Sequence, residues 1–144
     1  RPLVLCGVTI PWEKGLLGHS DADVALHALM DAMLGALGEG DIGRHFPDSG
    51  EQYRGIASTE LLRRVVELAR EKGYRLGNCD VTVVAQAPKL APYIEEMRAN
   101  VARVLGVDIS RVNIKATTTE RLGFEGEGLG ISAQAVAVMR SEAG

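Results

Sequence analysis

The chain has 144 residues, a formal net charge of −3, 46% hydrophobic and 24% charged residues, the length and balance of one globular domain with a sizeable core. The small negative charge argues against nucleic acid as a partner of the whole surface, and no apolar run approaches the ~18 residues of a membrane span. No signal-peptide pattern opens the sequence, and Cys6 and Cys79 are too few for a disulfide framework, so both read as reduced core residues of a cytoplasmic protein.

Leu3 to Ile10 reads as a strand closed by Pro11. A first helix is predicted from about Asp21 to Leu37, capped by Ser20, with Val24, Ala28, Met30 and Leu34 apolar and glycines loosening its end. Gly38 to Gly55 lacks periodicity and reads as one long loop. A second helix, Thr59 to Lys72, is capped by Ser58 and stopped by Gly73, with an apolar stripe at Leu61, Leu62, Val65, Val66, Leu68 and Ala69. Cys79 to Ala85 reads as a buried strand. A third helix follows from Pro92 to Leu105, ended by Gly106. Val112 to Thr117 alternates as a strand, Gly123 to Gly130 is a glycine-rich loop, and Ile131 to Met139 is a final strand with small residues at Ala133, Ala135 and Ala137. This mixture predicts an α+β fold, with helices on one face of a mixed sheet. Apolar residues on both strand faces ask for a cover on the other face, such as neighbouring subunits.

Asp23, His27 and Asp31 recur every fourth residue, so on a helix they share a face. A single helical histidine by itself reads as a packed or exposed side chain. Flanking carboxylates favour a ligand instead, because a metal-bound imidazole usually has an acceptor fixing its second nitrogen; Asp23 and Asp31 are those candidates. Ser20 serves equally as a helix cap and as one edge of an anion seat, with His19 beside it as a donor to a phosphoryl oxygen. Thr117, Thr118 and Thr119 are a strand end or a set of hydroxyl donors. Glu120 after them supplies the one carboxylate that a magnesium–phosphate site needs from protein. Gly126-Glu127-Gly128-Leu129-Gly130 has the wrong spacing for a phosphate loop or a dinucleotide fingerprint.

Four ordered blocks span about 110 positions: GLLGHSDADVALHALMDAML (15–34), DIGRHFPDS (41–49), AQAPKLAP (85–92) and KATTTERLGF (115–124). On these the sequence resembles the 2-C-methyl-D-erythritol 2,4-cyclodiphosphate synthases of the non-mevalonate isoprenoid pathway, from Leu3 onward. The resemblance implies a single synthase-like domain over 1–144 and a homotrimer around a threefold axis with shared active sites. It implies a metal-dependent phosphorus–oxygen lyase whose small-molecule substrate is a nucleotide diphosphate. Its catalytic residues would be His19 and Thr118. Zn²⁺ would sit at His27 and Mg²⁺ or Mn²⁺ at Glu120. Ser20, Thr117, Thr119 and Phe124 would bind substrate. Asp41 would hold the ribose hydroxyls, Phe46, Pro47 and Asp48 would line the methylerythritol pocket, and Ile42, Gly43, Ser49 and Gly50 would also bind substrate. Ala85, Gln86, Ala87, Pro88, Lys89, Leu90 and Ala91 would form the cytosine pocket. Glu127 stands where many members have a basic residue and Leu129 where they have an acidic one, which argues against an isoprenoid diphosphate in the trimer-axis cavity. Members begin with an Asp-x-His strand that supplies two zinc ligands; the sequence starts after it. Two alternatives stay open: a non-catalytic trimeric binding or structural module, and the C-terminal part of a fusion with the preceding cytidylyltransferase.

Overall fold

The computed structural model of the chain describes residues 3–12, 23–47, 57–128 and 130–142. Its first element is not one strand but a hairpin, β1 (Leu3–Leu5) paired antiparallel with β2 (Val8–Ile10). The strand pattern is interrupted because Cys6 and Gly7 both take positive φ, 51° and 76°, as a two-residue hairpin turn of the primed type requires. A Cβ at Gly7 would lie 2.9 Å from Thr59 Cγ2, so this turn is pressed against the next layer.

Helix α1 (Val24–Ala36) starts later than the sequence suggests, and Asp23 rather than Ser20 is its N-cap. The reason is tertiary. The buried Asp23 carboxylate accepts the N–H groups of Leu26 at 3.1 Å, Cys6 at 2.9 Å and Gly7 at 2.8 Å, joining helix cap and hairpin turn in one group. The loop expected over 38–55 contains a short helix, α2 (Ile42–His45), whose N-cap is Asp41. Helix α3 (Ser58–Glu71) is capped by Ala57 without a side-chain bond. Ser58, expected as the cap, is instead its buried first residue, its hydroxyl drawn inward to α1.

Strand β3 (Tyr74–Val84) begins five residues earlier than predicted. A register shift between Leu76 and Asn78 at Gly77 breaks its alternation and hides the first half from a periodicity argument. A turn of 3₁₀ helix (Ala91–Tyr93) contains the expected Pro92 and leads into α4 (Ile94–Leu105), ended by Gly106 at φ 70°. β4 (Val112–Thr117) follows. The glycine-rich loop then contains a single helical turn, α5 (Gly123–Gly126), and β5 (Ser132–Ser141) closes the chain.

The larger sheet is ordered β4–β3–β5, with β4 parallel and β5 antiparallel to β3. Cys79, Val81, Val83, Val112 and Ile114 turn one face into a core shared with Leu26, Leu29, Met30, Met33, Leu62, Val65, Met97 and Val101 of α1, α3 and α4. The small side chains of Ala135 and Ala137 on β5 let α1 pack close to the sheet. The fold is α+β, with helices on one face, as the sequence suggests. On the opposite face, Val136 is 68% and Val138 51% exposed among the described residues. There the Asp80 carboxylate accepts from Asn113 Nδ2 at 2.9 Å and Lys115 Nζ at 2.7 Å. Among the described residues no helix is long and apolar enough to cross a membrane. Both cysteines are free and buried; Cys6 lies in the hairpin turn, not a strand.

Candidate active site

The acid–histidine–acid stripe of α1 does not act as one group. Asp23 is committed to the cap and hairpin described above. Asp31, at the exposed end of the stripe, accepts the Ile42 N–H at 2.8 Å, tying α1 to the start of α2. His27 is half-buried, and its Nε2 lies 3.1 Å from Ser58 Oγ, a partner that sequence spacing gives no means of finding. His19 and Ser20 lie outside the described residues.

Around α2, Asp41 is exposed and accepts the Arg44 N–H at 2.9 Å, so its carboxylate is held by its own turn and faces solvent. Ile42 and Phe46 are half-buried, while Gly43 and Pro47 are exposed. Asp48, Ser49 and Gly50 fall outside the described residues. His45 is half-buried, with Nε2 2.7 Å from the Glu39 carbonyl oxygen.

The second group of predicted residues does converge. β3 and β4 are parallel neighbours, with Val84 opposite Thr117, and their last ladder contact is the Ala85 N–H donating to the Thr117 carbonyl at 2.9 Å. Beyond it the two chains separate, and a cavity of about 520 Å³ opens at the carboxyl ends of the parallel strands. It is lined by Ala85, Gln86, Pro88, Lys89, Leu90 and Ala91 on one side and by Ala116, Thr117 and Thr118 on the other, with Ile94 below. Ala87 lies in the same loop, joined to Pro88 by a cis peptide bond. Crevices at the carboxyl ends of parallel strands are where open α/β sheets hold ligands, because the loops splay and the backbone N–H groups beyond the ladder are available. Lys89, an exposed cation, is among the lining residues.

After β4 the chain makes a tight turn. Glu120 and Arg121 are consecutive non-glycine residues at positive φ, 54° and 71°, each costing on the order of 1 kcal/mol in backbone strain. The turn is shaped from within by the Glu120 N–H donating to Thr118 Oγ1 at 3.2 Å, the Leu122 N–H donating to the Thr119 carbonyl at 3.1 Å, and Thr119 Oγ1 donating to the Leu122 carbonyl. It sits directly on α5: a Cβ at Gly126 would come within 2.2 Å of the Arg121 carbonyl carbon. Glu120 is exposed, and Phe124 is 51% exposed next to Gly130. The sequence marks the threonines and Glu120, but not the bond from the Arg121 N–H to Gln86 Oε1 at 3.2 Å that joins this turn to the opposite loop.

Among the described residues no group of three or more His, Cys, Asp or Glu side chains is gathered closely enough to hold a metal ion. The imidazole of His27 is a suitable zinc donor, and the exposed Glu120 carboxylate a suitable magnesium donor, but each is one arm of a site. Among the described residues that line the cavity, none belongs to α1 or α2.

The sequence matches the YgbB family over residues 1–140. It is 62% identical over 143 residues to the 2-C-methyl-D-erythritol 2,4-cyclodiphosphate synthase of Syntrophotalea carbinolica, covering 99% of this chain and 87% of that protein. The fold superposes with a TM-score of 0.94 on the bifunctional IspDF of Campylobacter jejuni, at 44% identity, covering 98% of this chain but 38% of that longer one. It superposes with a TM-score of 0.84 on the CDP complex of IspF from Plasmodium falciparum, at 35% identity, covering 98% of this chain and 85% of that one. Sequence and fold agree over nearly the whole chain, and the protein belongs to the YgbB family.

Proposed function

We propose that the protein is a cyclodiphosphate synthase. It converts 4-diphosphocytidyl-2-C-methyl-D-erythritol 2-phosphate to 2-C-methyl-D-erythritol 2,4-cyclodiphosphate with release of CMP. The observation that carries this reading is the cavity between the Ala85–Ala91 loop and Thr117–Thr118, read beside a relative named for this activity and one seen with CDP.

An oxygen of the 2-phosphate attacks the β-phosphorus, the bond from that phosphorus to the oxygen bridging it to the α-phosphate breaks, and that oxygen leaves with CMP. No protein nucleophile is needed, so the chain's work is positioning and charge stabilisation. Backbone groups of residues 85–91 hold the cytosine, and Lys89 neutralises the nucleotide phosphates. Thr118 donates to the phosphate oxygens as negative charge shifts in the transition state, with Thr117 and Thr119 beside it. Asp41 accepts from the ribose hydroxyls, and Phe46 and Pro47 flank the methylerythritol. His19, Ser20, Asp48, Ser49, Gly50 and Phe124 complete substrate binding, and Asp31 fixes the start of the ribose turn. His27 would be one ligand of a zinc ion, and Glu120 would be the protein ligand of a Mg²⁺ or Mn²⁺ ion. Bound divalent ions supply Lewis-acid neutralisation of the phosphates.

The cavity lining includes no residue of α1 or α2, which supports reading the site as composite. A neighbouring subunit brings its ribose and zinc segments to the cavity, in a trimer whose threefold axis is lined by the exposed Val136 and Val138 face. The test is incubation of purified protein with substrate and Mg²⁺, following ³¹P resonances. CMP and a cyclic diphosphate should appear together in equal amounts; an unchanged substrate spectrum overturns the assignment.

A further inference from the structure

We infer that Gln86 is a positioning residue for the synthase reaction proposed above: its side-chain oxygen holds the 118–121 turn at a fixed distance from the base-binding loop. The inference rests on that assignment of function and adds to Gln86 a role other than substrate contact.

The turn needs such a strut. The β3–β4 ladder ends at the Ala85–Thr117 bond, and Thr118, Glu120 and Lys89 lie beyond it. The bonds Glu120 N–H to Thr118 Oγ1 and Leu122 N–H to the Thr119 carbonyl are internal. They set the shape of the turn but not its orientation towards the cavity. Gly126 gives the turn a floor, since its bare α-carbon lets the Arg121 backbone lie against it. Gln86 gives it a wall. Half-buried in the cavity lining, Gln86 accepts the Arg121 N–H through Oε1 at 3.2 Å. That N–H belongs to the second of two residues at positive φ, a conformation that relaxes unless surrounding contacts hold it. An amide N–H demands an acceptor, so the oxygen of the side chain must point to it. Loop and turn therefore move as one body, and the distance from the nucleotide base to the Thr118 hydroxyl is fixed.

The test compares Gln86→Met, which keeps length and removes the acceptor, with Gln86→Glu, which restores an acceptor oxygen. Both should melt within a few degrees of the unchanged protein. Loss of the strut should lower kcat about tenfold to a hundredfold through misplacement of the reacting phosphate, with KM and the Kd for CDP within about twofold. Gln86→Glu should recover most of kcat. Amide hydrogen exchange at Arg121 should speed up in Gln86→Met and not in Gln86→Glu. Weakened CDP binding with kcat preserved would make Gln86 a substrate contact and overturn the inference. So would unchanged kcat, or unchanged Arg121 exchange. A wild-type protein that releases no CMP removes the synthase assignment, whereas the exchange measurement decides separately whether the strut exists.

Discussion

The buried carboxylate of Asp23 accepts the Gly7 N–H at 2.8 Å, across sixteen positions of sequence. The same carboxylate takes the N–H groups of Cys6 and Leu26, so one side chain closes the first hairpin and starts the first helix. Asp23→Ala removes the cap and strips an acceptor from buried N–H groups. It should cost about 3 kcal/mol, and Asp23→Asn, which keeps one oxygen, less. Urea unfolding measures both; a loss below about 1 kcal/mol for the alanine variant contradicts the dual role.

His27→Ala should lower zinc content while leaving the helix and the assembly in place, because α1 packs through Ala25, Leu26, Leu29, Met30, Met33 and Leu34. Ser58→Ala removes the hydroxyl beside the ring without removing the donor and should retain zinc. Elemental analysis of both purified variants decides; undiminished zinc in His27→Ala rules out the ligand.

A composite site makes two dead variants complementary. His27→Ala and Thr118→Lys, refolded together, should regain part of the CMP-releasing activity. At some boundaries an intact His27 from one subunit faces an intact Thr118 from another. Native mass spectrometry must confirm mixed trimers; confirmed mixtures as inactive as either parent exclude sharing of these two residues.

On the outer sheet face, the bond from Lys115, then that from Asn113, and the Lys115 charge hold Asp80 below its ordinary carboxylate value of 3.8. A depressed folded value means the stabilisation is full above the unfolded value and is lost as pH falls through the folded one. Asp80→Asn should therefore be less stable at pH 6, with the gap closing as pH drops below 3.8. The difference should stay under about 1 kcal/mol and shrink with salt, since the pair is exposed. A gap independent of pH would show that packing, not charge, is responsible.

Burial first, then the Asp80 charge, pushes the Cys79 thiol up to about 11, and burial with Asp23 and Cys79 nearby pushes Cys6 well above its usual value. At pH 8 neither should react with a disulfide reagent except on unfolding, so the labelling rate should follow the unfolding rate. A burst of thiol release from native protein would contradict this. A raised folded value also means that stability falls as pH climbs from 9.0 to about 11, where the unfolded thiol of Cys79 ionises first.

Periodicity and glycine punctuation suffice for α1, α3, α4 and β4, because each buries a face through its own spacing: Leu61, Leu62, Val65 and Ala69 on α3, Val112 and Ile114 on β4. The motif blocks suffice for the family and for the loop and threonines that line the cavity. Tertiary contacts decided the rest. Cys6–Gly7 is a turn and Asp23 a cap because the hairpin and α1 share a carboxylate, and Ser58 goes inward because His27 meets it there. The early start of β3 is hidden by the irregularity at Gly77. The four-residue spacing of Asp23, His27 and Asp31 fixed only a shared helical face. The hairpin, α3 and α2 divided that stripe among three tasks, since a hydrogen-bonding side chain is claimed by whichever distant backbone or hydroxyl the fold delivers to it.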